Sequence, residues 1–419
     1  MVKPGVNRLE SLCGGKCLMT SLTILMLPSK TYPCSHAMLE TVYTRILPQR
    51  GHTVSWVMQS SDSRNIMDWE LAEWNGTRVY LVQENRGNVL QSPFGRFCSQ
   101  FRVVQHIMKT EKIDIVQVRN DWAAGLIGAH VKRRYGVPFV FQVSFPIPEM
   151  AILGDGGGAV RGRFLWAVRH LLLRDASLVL PISHWMEQEF REKEGIAAEK
   201  MLSFPLGADT SVRPEDVSGQ EVRQRRGLGN DPTVVYFGEM DRIRRLDFLL
   251  RVMKRVIEQC HDAKLLMVGK SERSSEDVKW LESQATELGI AESVIFTGWI
   301  PRSEVPAYIA ASDVGVSPYV PLSVYMTASP TKLMELMAMA KPVVANDIPE
   351  QKMILEDSGA GICTPYDEAA FADGILWLFQ HSSEAKRMGQ RGRKYIEEHR
   401  SYEVLATRVE ARYQKLLNR

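Results

Sequence analysis

Short apolar runs alternate with longer amphipathic stretches along most of the chain, and after a polar interval the same alternation starts afresh. This rhythm constrains the fold more than any other feature. In the first half, runs at 21–28, 53–58, 79–82, 113–118, 138–143, 178–180 and 201–204 read as strands buried in a parallel sheet. Helical spacing at 37–47, 101–109, 122–135, 164–173 and 184–193 fills the gaps between them. Residues 209–232 are polar and rich in Gly and Pro, as an interdomain linker is. Strands then return at 234–237, 265–268, 294–296, 314–316 and 341–346. The helices between them read at 247–260, 278–288, 305–310 and 331–340. Further helices at 371–379, 386–397 and 402–417 finish the chain. Strands alternating with helices imply doubly wound parallel sheets, which bind ligands beyond the carboxyl ends of their strands. The expected fold class is therefore α/β, with two Rossmann-like domains facing a cleft. Residues 1–208 form the first, 209–232 the linker and 233–399 the second, with 400–419 packing back on the first.

Composition bounds the partners. Lys and Arg number 52 against 49 for Asp and Glu, too even a balance for a nucleic-acid binder. Of the six cysteines only Cys13 and Cys17 are close, and no second pair completes a zinc quartet. Reduced thiols in a cytoplasmic protein are the expectation. The first twenty residues lack the apolar centre of a signal peptide, and no run of 18 apolar residues exists to span a bilayer.

The most informative stretch is 317–346. Ser329 is placed to cap a helix, with Pro330 in its first position. Leu333, Met334, Leu336, Met337 and Met339 leave almost no polar face, so the helix is expected to be buried. Its only charges, Lys332 and Glu335, lie three apart on one side. Thr331 and Lys332 fall in the first turn, where free N–H groups and the helix dipole favour an anion. A phosphate there, with a carboxylate one turn deeper to accept ribose hydroxyls, suits a nucleoside diphosphate. The alternative is a core helix whose two charges pair on its exposed edge.

A second anion signal follows the strand at 234–237. Gly238 lets a ligand approach the backbone. Arg242, Arg244 and Arg245 then crowd the loop before the next helix, where cations oppose the dipole unless an anion is near. In the first half the strand ends carry Lys30-Thr-Tyr-Pro, Arg119-Asn-Asp, Ser144-Phe-Pro and Ser183-His-Trp. Asn120, Asp121 and Glu149 are the places expected to touch an acceptor. The Gly154-Asp-Gly-Gly-Gly run lacks the strand-to-helix setting of a phosphate loop and reads as a surface loop. Beyond it, Arg161, Arg163, Arg169 and Arg174 mix with Phe164, Trp166 and Leu171. Such a helix suits either an anionic membrane surface or a sheet face with a solvated basic edge.

The order of several short motifs resembles the GT-B-fold glycosyltransferases of family 4 and its "group 1" relatives. These motifs are Arg50-Gly-His-Thr-Val, Asp175-Ala-Ser-Leu-Val-Leu-Pro-Ile-Ser, Pro205-Leu-Gly-Ala-Asp, Tyr236-Phe-Gly, Ser329-Pro-Thr-Lys-Leu-Met-Glu and Lys341-Pro-Val-Val-Ala. The resemblance implies that Arg244 binds the donor diphosphate and Glu335 the ribose. It places Thr331 and Lys332 by the phosphates or the transferred sugar. Thr327 stands where the family's first glutamate belongs, Glu239 where an arginine is common, and Ser144 near the usual histidine position.

The implied activity is transfer of a sugar from a nucleoside-diphosphate sugar to a glycan, lipid-linked or small-molecule acceptor. The resemblance implies retention of configuration. No Asp-x-Asp pair sits in the donor stretch, so neither a metal nor a further cofactor is expected. Peripheral contact with the inner membrane face through 161–174 would suit a lipid-linked acceptor. The rival readings are a sugar-nucleotide epimerase of the same fold and a catalytically inactive sugar-nucleotide-binding protein.

Overall fold

A computed structural model of the chain describes residues 20–60, 69–83, 92–153 and 158–418. Cys13, Cys17 and the first four residues of the Gly154-Asp-Gly-Gly-Gly run lie outside the described residues. Two sheets carry the fold. Strands of the first are β1 (Thr23–Pro28), β2 (Thr31–Tyr32), β3 (Thr53–Ser60), β4 (Glu70–Trp74), β5 (Thr77–Val82), β6 (Ile115–Arg119), β7 (Phe139–Val143) and β8 (Leu178–Pro181). Among the described residues they run in the order β4-β5-β3-β1-β6-β7-β8, with β2 on β3. The second sheet comprises β9 (Thr233–Phe237), β10 (Lys264–Val268), β11 (Val294–Phe296), β12 (Val314–Ser317), β13 (Val343–Asn346) and β14 (Gly361–Thr364). Its order is β11-β10-β9-β12-β13-β14, and every pair is parallel.

Both sheets share one winding. Each starts in its middle, grows to one side, then returns and grows to the other. The order reverses between β1 and β6 in the first sheet and between β9 and β12 in the second. Loops leaving neighbouring strands at such a point diverge to opposite faces and open a crevice. The fold therefore prescribes two places where a ligand can settle.

The strands and their covering helices divide into apolar clusters on opposite faces. Ile24, Met26, Val54, Trp56 and Ile115 face one side of the first sheet. Leu25, Val57, Val116, Val118 and Phe141 face the other. Uniformly buried strands such as Ile115–Arg119 and Phe139–Val143 are the physical source of the apolar runs in the sequence.

Several elements differ from the sequence-based expectation. β4 pairs antiparallel with β5 through the two-residue turn Asn75-Gly76, both at positive φ. Asn-Gly is a strong hairpin signal, and it was available in the sequence. The 201–204 run is not a strand: its only pairing is a single bridge between Met201 and Val179. Helices at Ile147–Leu153 and Pro349–Ser358, and strand β14, have too little periodicity of their own to announce themselves.

The chain's last helix, Tyr402–Leu417, lies in the core of the first sheet, where Leu405, Ala406, Val409 and Tyr413 join Met26 and Trp56. A buried polar contact fastens it. The Leu22 amide donates to His52 Nδ1 (3.1 Å), so His52 Nε2 carries a proton and donates to Glu410 Oε1 (2.8 Å). Arg50 Nη1 donates to the other oxygen of Glu410 at 2.7 Å. Glu410→Ala leaves the buried His52 Nε2 without an acceptor and removes one of the two carboxylates that Arg50 holds. It should lower unfolding free energy by about 3 kcal/mol, read as a shift in urea midpoint. A midpoint equal to the parent's would show that this contact does not hold the helix down.

Candidate active site

The reversal point of the second sheet gathers the charged residues. β9 ends at Phe237, and Gly238 turns the chain with φ of 122°. That conformation favours glycine, and the turn brings Gly238 close to the tip of Lys332. A Cβ on Gly238 would lie 2.7 Å from Lys332 Cε and 3.0 Å from Lys332 Nζ. From β12 the chain passes through Tyr319 and Tyr325 to the helix Thr331–Ala338. Leu333, Met334, Leu336 and Met337 of that helix are fully buried. The helix presses so close to β12 that a Cβ on Gly315 would meet Leu336 Cδ2 at 2.4 Å. Apolar packing thus fixes the helix and leaves its first turn pointing at the Gly238 loop.

Lys332 Nζ lies 5.2 Å from the Tyr236 ring centroid and 6.0 Å from that of Tyr319. The Arg244 guanidinium stands 5.8 Å from the Tyr325 ring centroid. Tyr319 and Tyr325 meet edge to face with ring centroids 5.5 Å apart, so the two cations rest on adjoining rings. Arg244 Nη2 donates to Glu239 at 2.6 Å, while its Nε is buried and has no acceptor. Burial opposes the charge on Arg244, but the Glu239 hydrogen bond together with Tyr319, Tyr236 and Tyr325 more than offsets it, so its pKa stands above the usual value. Lys332 has no such partner. Burial, then the nearby charge of Arg244, push its pKa down to about 8. Glu335 sits one turn deeper and accepts from Arg302 Nη2 at 2.6 Å. Burial raises its pKa, opposed by Arg302 and Lys332.

The remaining sequence-based site residues separate into two sets. Thr331 opens the helix beside Lys332. Ser329 is not the cap: Pro330 occupies that position, and the helix start has no side-chain cap. The Ser329 hydroxyl instead accepts from the Leu206 amide at 3.0 Å, a contact between the lobes. Thr327 is buried, and its carbonyl accepts from Ser183 Oγ at 2.7 Å, a second such contact. Arg242 and Arg245 are engaged elsewhere. Arg242 stacks on Trp280, 4.7 Å from the ring centroid, beside Asp277. Arg245 is in the left-handed region and pairs with Asp247. Of the three arginines, Arg244 is the one aimed at Lys332.

The sequence reading missed Glu239 as the partner of Arg244, and Arg302 as the partner of Glu335. Glu239 could be suspected from its place beside three arginines. Arg302 lies too far along the chain to be paired by inspection.

The first sheet's strand ends also have local duties. Asp121 caps the Trp122–Tyr135 helix by accepting from the amides of Ala123 and Ala124. Asn120 holds φ of 56°, and its Oδ1 accepts from the Ser144 amide. Glu149 is paired with Arg169.

Residues 43–207 match the family model described as "Glycosyl transferase 4-like domain", and residues 231–381 match "Glycosyl transferases group 1". The alpha-D-kanosaminyltransferase of Streptomyces kanamyceticus is 24% identical over 230 residues, covering 54% of this chain and 56% of that protein. The match thus spans about half the length of that relative. The alpha-monoglucosyldiacylglycerol synthase of Streptococcus pneumoniae is 23% identical over 337 residues, covering 79% of this chain and 71% of that protein. Among solved structures, Anabaena Alr3699/HepE in complex with UDP-glucose superposes with a TM-score of 0.69 at 19% identity, covering 94% of this chain and 100% of that one. At that identity the likeness is one of fold.

The low pKa of Lys332 sets a pH signature. A bound diphosphate favours the ammonium form and raises its pKa again. Below pH 8 the free protein already holds the proton, so affinity for a nucleoside diphosphate should be flat. Above pH 8 binding must recruit a proton, and affinity should fall towards about tenfold per pH unit. Titration calorimetry across pH 6.5–9.5 measures this. Lys332→Met should bind more weakly and lose the slope; a slope kept by that variant would assign it to another group.

The two family matches together span most of the chain, and the fold agrees with them: the protein belongs to the group 1 glycosyltransferases of the GT-B fold.

Proposed function

We propose that the protein moves a glycosyl group from a nucleoside-diphosphate sugar to an acceptor seated on the first lobe. The observation that carries this reading is the convergence of Arg244, Lys332 and an uncapped helix start on the crevice above Gly238. Breaking the bond between sugar and diphosphate leaves negative charge on the leaving oxygen. Two preorganised cations and the amides of Thr331 and Lys332 stabilise that charge in a site largely closed to water. In this reading they do what a divalent metal would otherwise do. Glu335, one turn deeper, accepts the ribose hydroxyls, and Thr327 lies beside the transferred sugar. Configuration is retained, as the family resemblance implies. The UDP-glucose complex of the HepE protein supports a nucleotide-sugar donor. The epimerase alternative finds no support among the relatives described above.

Arg244→Ala should raise the barrier to transfer by about 2–4 kcal/mol, the range for losing one preorganised donor to developing charge. A thermal-shift screen with UDP-, GDP- and ADP-sugars finds the donor first, because a ligand that binds only the native state raises its melting point. Turnover equal to the parent's would remove Arg244 from the reaction. Donor binding without hydrolysis or transfer to any acceptor would favour the inactive, sugar-nucleotide-binding reading.

A lipid-linked acceptor at a membrane surface is the acceptor reading we favour. Helix Gly158–Asp175 exposes Val160 (76%), Phe164 (56%) and Leu171 (65%), four or seven residues apart on one stripe. Arg161, Arg163 and Arg174 are also exposed on this helix. Arg169 does not belong to this surface: it is buried and paired with Glu149 and Glu194. The name of the diacylglycerol-modifying relative supports the same reading. Among the described residues no helix is long and apolar enough to cross a membrane, so contact would be peripheral. Co-sedimentation with anionic vesicles should be lost in Phe164→Asp/Leu171→Asp, with neutral vesicles retaining little of either protein. Equal recovery of the variant on anionic vesicles would exclude this helix as the contact.

A further inference from the structure

The crevice of the first sheet holds a different anomaly. Arg119 is the last residue of β6 and pairs in register with Pro28 of β1, so it stands at the point where the strand order reverses. It is 5% exposed. Among the described residues no carboxylate pairs with it, and its one side-chain partner is His36, whose Nε2 lies 2.9 Å from Arg119 Nη2. A guanidinium can only donate, so His36 Nε2 accepts and its proton sits on Nδ1. Burial, and then the charge of Arg119, hold His36 neutral, with a pKa pushed down to about 3. His36 Nδ1 and Arg119 Nε are both buried donors without acceptors. So is Nε2 of Gln142, the register partner of Arg119 on β7.

Below this row the polar groups are neutral. Gln117 Nε2 donates to Tyr43 and to Gln142, and Tyr413 donates to Gln117. The charges acting on His36 are all positive: Arg119, Lys30 and Arg302. Arg302 reaches across from the second lobe to the Ser35 carbonyl at 3.4 Å. A buried guanidinium without a counter-charge costs several kcal/mol, and native interiors rarely leave several donors unmet in one place. Arg119 Nε and Gln142 Nε2 lack the acceptor that an oxyanion would supply.

We propose that Arg119 and Gln142, with His36 holding the guanidinium in place, form a second oxyanion site, on the first lobe, which holds a phosphate or carboxylate carried by the acceptor. This rests on the reading of the protein as a glycosyltransferase whose acceptor sits on that lobe. The site lies at the strand ends of the acceptor lobe and is built without Arg244 or Lys332. The same chemistry could serve a second contact to the donor's own diphosphate, and the test separates the two sources.

Inorganic phosphate is the probe, added to the full-length protein with and without saturating nucleoside diphosphate. With the donor crevice filled, phosphate should still raise the melting temperature of the parent. Arg119→Met should weaken that phosphate affinity at least about tenfold, the usual loss for a charged hydrogen bond. It should leave the unliganded melting temperature equal or higher, since an unpaired buried charge has been removed. A purely structural arginine would instead lower it. If phosphate has no effect once nucleotide is bound, the oxyanion belongs to the donor and the acceptor assignment falls. If Arg119→Met responds to phosphate as the parent does, the site does not exist. Should that variant fail to fold, Gln142→Met removes the Nε2 donor, and its phosphate affinity is read in the same way. If no nucleoside diphosphate binds, the donor reading fails by itself, while Lys332→Met still reports whether phosphate binds at Arg119.

Discussion

Two like charges held in one small crevice are the constraint on which the catalytic half of the molecule depends. Arg244 and Lys332 come from loops leaving neighbouring strands, β9 and β12, and are brought together where those loops diverge. Their repulsion is answered unequally. Arg244 has Glu239 at 2.6 Å and keeps its charge firmly. Lys332 has two aromatic faces and no carboxylate in contact, and its proton is held loosely. A diphosphate entering here meets one fixed cation and one whose charge its arrival would strengthen. The packing of Leu333, Leu336 and Met337 fixes the position of Lys332, because it sets where the first helical turn ends up.

Much of this could be read from the sequence, for a physical reason. A strand buried on both faces has to be apolar throughout, so β6, β7, β9 and β10 announce themselves. The Gly238 loop and the Thr331 helix start could be located because local chemistry alone, a glycine after a strand and a lysine in a first turn, singles out a place that suits an anion. What escaped were partners distant in sequence. Arg169 looked like part of a basic surface until folding buried it against Glu194. Ser329 looked like a cap until the first lobe supplied the Leu206 amide for its hydroxyl. Arg242 and Arg245 looked equivalent to Arg244; Trp280 and Asp247 decide otherwise. Short elements such as β14 escaped for a simpler reason, since a few residues cannot display a period.

The two crevices are alike in topology and opposite in how they balance charge. In the second lobe Arg242, Arg244 and Arg245 each have a carboxylate, and the shortfall falls on a lysine that can give up its proton. In the first lobe the shortfall falls on Arg119, for which losing a proton is no practical escape near neutral pH. Burial lowers its pKa only to about 10. Its neighbour His36 gives up its charge instead, which removes a repulsion and adds no attraction. A lysine in a crevice can wait uncharged for its ligand; an arginine cannot, and its unmet Nε is left for the proposed oxyanion.

Arg302 connects the two. One nitrogen holds Glu335, the carboxylate assigned to the ribose, and another holds the Ser35 carbonyl next to His36. Ribose hydroxyls competing for Glu335 would act on the same guanidinium that touches the first lobe. Ser183 to Thr327 and Leu206 to Ser329 are the neighbouring contacts between the lobes, and both end in the loop that leads into the Thr331 helix. The segment that positions Lys332 is therefore also the segment by which the lobes hold each other. An enzyme that must keep water from an activated sugar benefits from that economy, because the geometry that favours transfer and the closure that excludes hydrolysis are carried by the same few residues.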